Sequence, residues 1–542
     1  MRPHRIAGAA ALIAVLTIVA RVAGFGRTMV FAWAVGDTDL GDTYVVANTI
    51  PNIIFEIVAG GALASLVVPL LAPAMVAGDR AAVARTASVL LAWVLAGLVP
   101  LAVALALAAR PVIELIATDP GPAQVAAGTT MLQIFAPQLP LYGVAIVLTG
   151  VLQAHRRFAW PVLAPLLSSV TVAAAYLLFA YVGPRGVGVA EVGTGGLLVL
   201  AVGTTAGVLV LTGCLVPQVA RLGLRPVAGW RLPAGDRRRV RDLAVAGAVT
   251  LGAQNLALLV VLWRAWAGPE GTSVLFLLAQ TIFLVPWAVL AVPSATAAYP
   301  TMAESAASGD HANFRATLAA TTRATVLLCL LGAAALAGLA GPVAALIADL
   351  MPTARDSAAP LAAGLTGFAP GLVGYGLFAV LSRALYARGE AIAAAVAAAV
   401  GWATVAATAV ALSQALPPDQ RVLALTAANS VGMTVLGAGL LWAVVRRAGR
   451  AALAGLVRTA AAGVAAAVAA VVSGRVVLGA APHDGPPAAA VSAGWGMLAG
   501  VVVGVVFAVT AWLLDRDQVG PLAAAVVRRR RRLDGGEEET RG

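Results

Sequence analysis

Apolar stretches of roughly 20 or more residues recur along nearly the whole chain, separated by short polar connections. Each is long enough to cross about 30 Å of hydrocarbon as a helix. Fourteen such spans are predicted, at about 7–35, 43–75, 82–109, 123–153, 160–183, 192–220, 242–267, 272–302, 317–348, 360–386, 391–413, 422–445, 452–478 and 491–514. The pattern predicts an all-α polytopic membrane protein with about fourteen transmembrane helices.

Two spans are nearly the same helix. FAPQLPLYGVAIVLTGVLQAHRR (Phe135 to Arg157) and FAPGLVGYGLFAVLSRALYARGE (Phe368 to Glu390) agree at ten of 23 positions, at an offset of 233. Pro69 followed by Gly78-Asp79 returns as Pro300 followed by Gly309-Asp310, at an offset of 231. The matching Pro, Tyr, Gly and Asp are not residues that an Ala/Leu/Val-rich composition inflates. The offset lays span 1 on span 7, span 2 on span 8 and span 4 on span 10, in the same orientation, so the repeat is parallel. The expected organisation is two pseudo-symmetric six-helix lobes, 1–221 and 242–446, joined by a basic linker at 222–241. Two further helices follow over 447–514, then a polar tail at 515–542.

Composition agrees. The chain is 61% hydrophobic and 11% charged, with a mean hydropathy of +0.93, which no soluble globular domain shows. Charge then orients the spans. All 36 basic residues are arginine. With both termini on the cytoplasmic side of the plasma membrane, 28 arginines fall in inner loops and tails, six in outer loops, and Arg21 and Arg27 within span 1. That asymmetry follows the positive-inside rule. The net charge of +12 therefore signals topology rather than nucleic-acid binding. Its tail arginines, Arg528 to Arg532, suit anionic lipid headgroups. Arg2 and Arg5 before an apolar run resemble a signal peptide, but Arg21 interrupts that run and a retained first helix is expected. Cys214 and Cys329 lie inside spans, and the four histidines are scattered without metal-ligand spacing. No metal site, cofactor or catalytic residue is expected. Asp37-Thr38-Asp39 matches a short glycosyltransferase pattern, but without a catalytic domain around it.

Ionisable residues inside a span are costly and usually face a cavity. Span 1 holds Arg21 and Arg27, about 120° apart on a regular helix, with Gly24 and Gly26 between them to loosen it. Arginine's planar fork of donors suits phosphate oxygens. In span 2, Asn48, Asn52 and Glu56 follow at i, i+4 and share one face, beside a predicted kink at Pro51. Glu56 is a candidate partner for either arginine or a proton-titrating group. Span 7 has Gln254 and Asn255 where span 1 has Arg21, span 8 carries Gln280, Pro286 and Pro293, and Arg383 lies near the inner end of span 10.

ARVAGFGR (Ala20–Arg27), GDTYVVANTIPN (Gly41–Asn52), the Pro69 end of span 2 and ALYARGE (Ala384–Glu390) resemble the MurJ/MviN family of lipid II flippases, within the superfamily of multidrug, oligosaccharidyl-lipid and polysaccharide exporters. The resemblance implies transport of undecaprenyl-pyrophosphate-linked peptidoglycan precursor from the inner to the outer leaflet by alternating access. It also implies a cationic cavity for the head and a groove at helices 13 and 14 for the lipid tail. Arg21 and Arg27 match family cavity arginines, and Asp42 matches an aspartate at the outer end of span 2. Asp42, Gln254, Gln280 and Arg383 are candidate gate or support residues. The chain departs from the family pattern at Phe55 and Glu56, where many members carry an arginine pair, at Gly60, where they carry Glu, and at Thr281, where they carry arginine. Two alternatives stand beside the flippase. One is a related exporter of drugs or another polyprenyl-linked glycan, coupled through Glu56. The other is a non-transporting scaffold for cell-wall synthesis proteins.

Overall fold

Several connections between apolar stretches end one helix and start the next by recognisable chemistry. The repeated Gly-Asp pair is the clearest case. Gly78 and Gly309 sit at φ +68° and +74°, where an L side chain would be strained. The aspartate that follows then caps a helix: Asp79 Oδ1 accepts from Ala82 N at 2.9 Å, and Asp310 Oδ1 accepts from Asn313 N at 3.0 Å. The repeated Phe-Ala-Pro is a second punctuation. Proline has no N–H to donate, so the helical ladder breaks there.

The computed structural model describes residues 3–57, 70–71, 74–75, 77–155, 157–224, 227, 230, 237–352, 354–481 and 489–516. Pro69, Gly60, Arg156 and the tail arginines Arg528 to Arg532 lie outside them. Its helices are α1 (Pro3–Ala34), α2 (Asp39–Phe55), α3 (Arg80–Leu107), α4 (Ala109–Ile116), α5 (Pro122–Phe135), α6 (Gln138–Ala154), α7 (Ala159–Val182), α8 (Gly193–Gly213), α9 (Val216–Ala220), α10 (Arg237–Trp266) and α11 (Thr272–Pro286). A π-helical turn, Trp287–Ala291, leads into α12 (Val292–Ala307). Then come α13 (His311–Gly338), α14 (Ala340–Ala348), α15 (Ala354–Phe368), α16 (Gly371–Ala387), α17 (Ala391–Ala415), α18 (Arg421–Ala448), α19 (Leu456–Gly479) and α20 (Ala489–Leu514).

The fold is that of an all-helical polytopic membrane protein. Among the described residues twelve helices are long and apolar enough to cross a membrane, or thirteen if Ser357–Phe368 and Gly371–Ala387 form one span bent by 44°. The bend falls at Phe368-Ala369-Pro370. The remaining expected span, 43–75, begins as α2, and its continuation at 58–69 lies outside the described residues.

The chain forms two compact units: Met1–Thr281 with Ile347–Ser357 and Ala409–Leu425, and Ile282–Leu346 with Ala358–Thr408 and Thr426–Gly542. In the first unit α1 packs along α7, and α3 along α6. The linker is tied to α3: Val227 N donates to Ser88 Oγ at 3.0 Å, and Trp93 Nε1 donates to the Trp230 carbonyl at 3.0 Å. In the second unit α13 packs on α16 and α19, and α19 packs on α20.

The repeat recurs within each unit as the same local packing. Phe135 and Phe368 are fully buried. Phe55 stacks on Tyr142 at 4.5 Å between centroids, and Trp287 stacks on Tyr375 at 4.7 Å. The glycine after each tyrosine admits a neighbouring helix. A Cβ at Gly143 would come within 2.5 Å of Leu98 Cδ1, and one at Gly376 within 2.3 Å of Cys329 Sγ. The Tyr-Gly pair is therefore conserved between the halves by packing: one residue stacks, the next makes room.

Candidate functional site: a polar face on α1, α2 and α10

α1 is continuous through Gly24 and Gly26, and a Cβ at either would meet nothing within 4 Å. The face beside these glycines is open. Arg21 is exposed and Arg27 half-buried. At a rise of about 1.5 Å per residue, Arg21 lies roughly 20 Å from the Ala34 end of α1, a distance shorter than a hydrocarbon layer of about 30 Å. Arg27 lies within electrostatic reach of Tyr44, Tyr142 and Tyr176. Two of these are locked together: Tyr44 Oη shares hydrogen bonds of 2.7 Å with Tyr176 Oη and with Thr204 Oγ1.

α2 starts with Thr38, whose Oγ1 accepts from Gly41 N at 3.2 Å, and with Asp39 and Asp42 at the positive end of the helix dipole. Pro51 removes one rung of the ladder, and the helix widens to a π-type turn at Glu56–Ile57. The π turn Trp287–Ala291 follows Pro286 at the repeat-related place. Asn48 and Asn52 are half-buried, and Asn52 Nδ2 donates to the Asn48 carbonyl at 2.9 Å. Glu56 is exposed and lies within electrostatic reach of Tyr142.

The hydrogen-bond partner of Glu56 is Asn255 of α10. Asn255 Nδ2 donates to Glu56 Oε2 at 3.0 Å and also to the Leu251 carbonyl at 2.9 Å. Asn255 is 2% exposed, so its amide is aimed. Gln254 beside it is half-buried, as is Gln280 on α11. Arg383 belongs to the second unit, where its Nη1 donates to the Ala379 carbonyl at 2.7 Å. Arg27 and Glu56 thus both lie within electrostatic reach of Tyr142, and Asn255 joins them through Glu56. Sequence reasoning did not single out the tyrosines. The repeated Tyr-Gly pair held the available signal for Tyr142.

The other end of α2 is clasped. Asp42 is 6% exposed and accepts three backbone bonds: from Gly271 N at 2.8 Å, Ser273 N at 2.9 Å and Val274 N at 3.2 Å. Asp39 N donates to Glu270 Oε1 at 2.8 Å, and Asp39 Oδ1 accepts from Val189 N at 2.8 Å. Ser357 Oγ donates to Asp37. The Asp-Thr-Asp motif is therefore spent on holding chain segments together. Among the described residues no group of three or more His, Cys, Asp or Glu could hold a metal.

A family model described as "Lipid II flippase MurJ" matches residues 31–484. The chain belongs to the MurJ lipid II flippase family. Family membership makes it a multi-pass membrane transporter with lipid II as substrate, and not an enzyme. It is 28% identical to the lipid II flippase MurJ of Burkholderia cenocepacia over 389 residues, 69% of this chain and 71% of that one. It is 31% identical to a probable lipid II flippase MurJ of Synechocystis over 236 residues, 40% of this chain and 41% of that one. Among solved structures, a lipid II flippase MurJ in an inward closed conformation covers 94% of this chain and 99% of its own, with a TM-score of 0.73 at 15% identity. An inward-facing MATE-family multidrug resistance transporter covers 80% and 98%, with a TM-score of 0.64 at 14% identity. These last two likenesses concern the fold.

Proposed function

We propose that this MurJ-family chain carries lipid II, an undecaprenyl-pyrophosphate-linked precursor, from the inner to the outer leaflet of the plasma membrane. Its termini are cytoplasmic, the Asp42 end of α2 faces outward, and the two six-helix repeats move as lobes. Arg21 and Arg27 hold the pyrophosphate. Asn48, Asn52 and Glu56, with Asn255 behind them, meet the sugar-peptide head. Gln254, Gln280 and Arg383 act as support.

The observation that carries this reading is the contrast between the two ends of α2. At the Asp42 end every acidic group is engaged and the segments are tied. Roughly 21 Å further along from Asp42, at about 1.5 Å per residue, Glu56 is exposed. Exposed charge at that depth is costly in lipid, so it marks a water-accessible or substrate-lined face. Guanidinium forks match phosphate oxygens. Substrate drives the cycle by binding one state better than the other, and the clasp at Asp42 is the contact that must release for outward opening. A membrane potential acts on any charge that moves, at about 2.3 kcal/mol per charge per 100 mV.

The test is the outer-leaflet fraction of lipid II after depletion of the protein, with rescue by wild type and by Arg21→Ala. Collapse of that fraction, restored by wild type and not by the variant, is expected. Full rescue by Arg21→Ala would remove Arg21 from the site.

A further inference from the structure

Away from the α1–α2 face, the first unit holds a second cationic place. Arg264 lies in the last turn of α10, and Arg421 opens α18. Arg264 Nε donates to Ser413 Oγ at 2.8 Å, and its guanidinium lies 5.1 Å from the Trp263 ring centroid. Arg421 is 6% exposed, and its Nε and Nη1 are buried with no hydrogen-bond partner among the described residues. A Cβ at Gly268 would come within 2.7 Å of Arg421 Cγ, so the arginine stem is confined and its head cannot simply swing away.

The two guanidinium groups are within electrostatic reach of each other. Among the described residues, none of the ion pairs includes either one. Arginine stays protonated in proteins, so it cannot relieve its burial by giving up the proton. Position adds no compensation, because Arg421 sits at the positive end of the α18 dipole. A buried guanidinium with orphaned donors, facing a half-buried like charge, is costly unless an anion completes it.

We propose that Arg264 and Arg421 form a site for an oxyanion of the phosphate class, which bridges the end of α10 to the start of α18. Planar guanidinium groups with N–H donors left over suit phosphate oxygens better than a point anion. The oxyanion is either free phosphate or the phosphodiester of a lipid headgroup. The site stands on different helices from Arg21 and Arg27, and does not depend on their role.

The full-length protein in phosphatidylcholine nanodiscs, in chloride-free gluconate buffer of constant ionic strength, tests this. Inorganic phosphate is titrated, with radiolabelled phosphate retention and the melting temperature as readouts. Saturable retention of about one phosphate per chain and a rising melting temperature are expected. Arg421→Met should weaken retention about tenfold or more, as loss of charge-assisted contacts does. Its melting temperature without phosphate should equal or exceed that of wild type, because the uncompensated charge is gone. Arg264→Gln should also weaken retention, and decides the matter alone if Arg421→Met does not fold. If stabilisation instead requires phosphatidylglycerol in the nanodisc and depends on the same arginines, the oxyanion is the headgroup's. Stabilisation by neither, or stabilisation unchanged in Arg264→Gln, overturns the proposal.

Discussion

Asp42 accepts a hydrogen bond from the backbone of Ser273, 231 residues further along the chain. That separation is the offset of the internal repeat itself. The start of α2 is thus tied to the start of α11, the helix that the repeat offset lays on it. Asp39 and Glu270 are separated by the same 231 residues. Each partner stands at the end of a repeat-related helix, which suits the contact to the clasp role proposed for it.

Replacing Asp42 by Asn removes the charge that three backbone N–H groups share. Hydrogen bonds to a charged group contribute about 1.5–3 kcal/mol. A loss of about 2 kcal/mol is roughly a thirtyfold shift towards the unclasped state. A cysteine placed at Asn48, with Cys214 and Cys329 replaced, should then be labelled faster by an impermeant reagent from the outer side. Unchanged labelling would mean that the clasp does not hold that end shut.

The Glu56–Asn255 pair calls for a double-mutant cycle. Asn255→Asp puts a second carboxylate against Glu56 and should lower lipid II flipping more than Asn255→Ala. Glu56→Gln should restore much of the loss in the Asn255→Asp background, because the pair can again share a hydrogen bond. Additive effects of the two changes would show that the residues do not act together.

Arg21→Lys keeps the charge and loses the fork. If Arg21 holds a pyrophosphate through paired N–H groups, the lysine variant should fall between wild type and Arg21→Ala in rescue of the outer-leaflet fraction. Equal rescue by lysine would assign Arg21 a purely electrostatic role.

Two glycines predict opposite outcomes. A Cβ at Gly374 would come within 2.5 Å of the Met433 carbonyl carbon, which is backbone and cannot yield. Gly374→Ala should cost at least about 1–3 kcal/mol and lower the melting temperature in detergent. A Cβ at Gly252, inside α10, meets nothing within 4 Å. Gly252→Ala should be neutral or stabilise by up to about 1 kcal/mol, through helix propensity alone.

Hydrophobic runs were enough to read the helices, because a lipid-spanning segment must bury every backbone polar group internally. The boundaries were also legible wherever a residue's own chemistry ends a helix, as at Gly78-Asp79, Gly309-Asp310 and Pro370. Arg21, Arg27, Asn48, Asn52 and Glu56 stood out because polar groups are costly in such runs.

What those residues touch depended on contacts between distant segments. The i, i+4 stripe placed Asn52 and Glu56 on one face of α2, yet nothing local could say that Glu56 meets Asn255, 199 residues away. Tyr44 and Tyr176 read as ordinary membrane aromatics until their hydroxyls were found joined. Asp37 and Asp39 looked like a fragment of a catalytic motif, and tertiary structure made them ties. The sequence by itself determined the helices, the duplication and the unusual charges, because those follow from local cost in a membrane. Only the tertiary structure decided the partners, because hydrogen bonding and charge compensation act between atoms a few ångströms apart, whatever their separation along the chain.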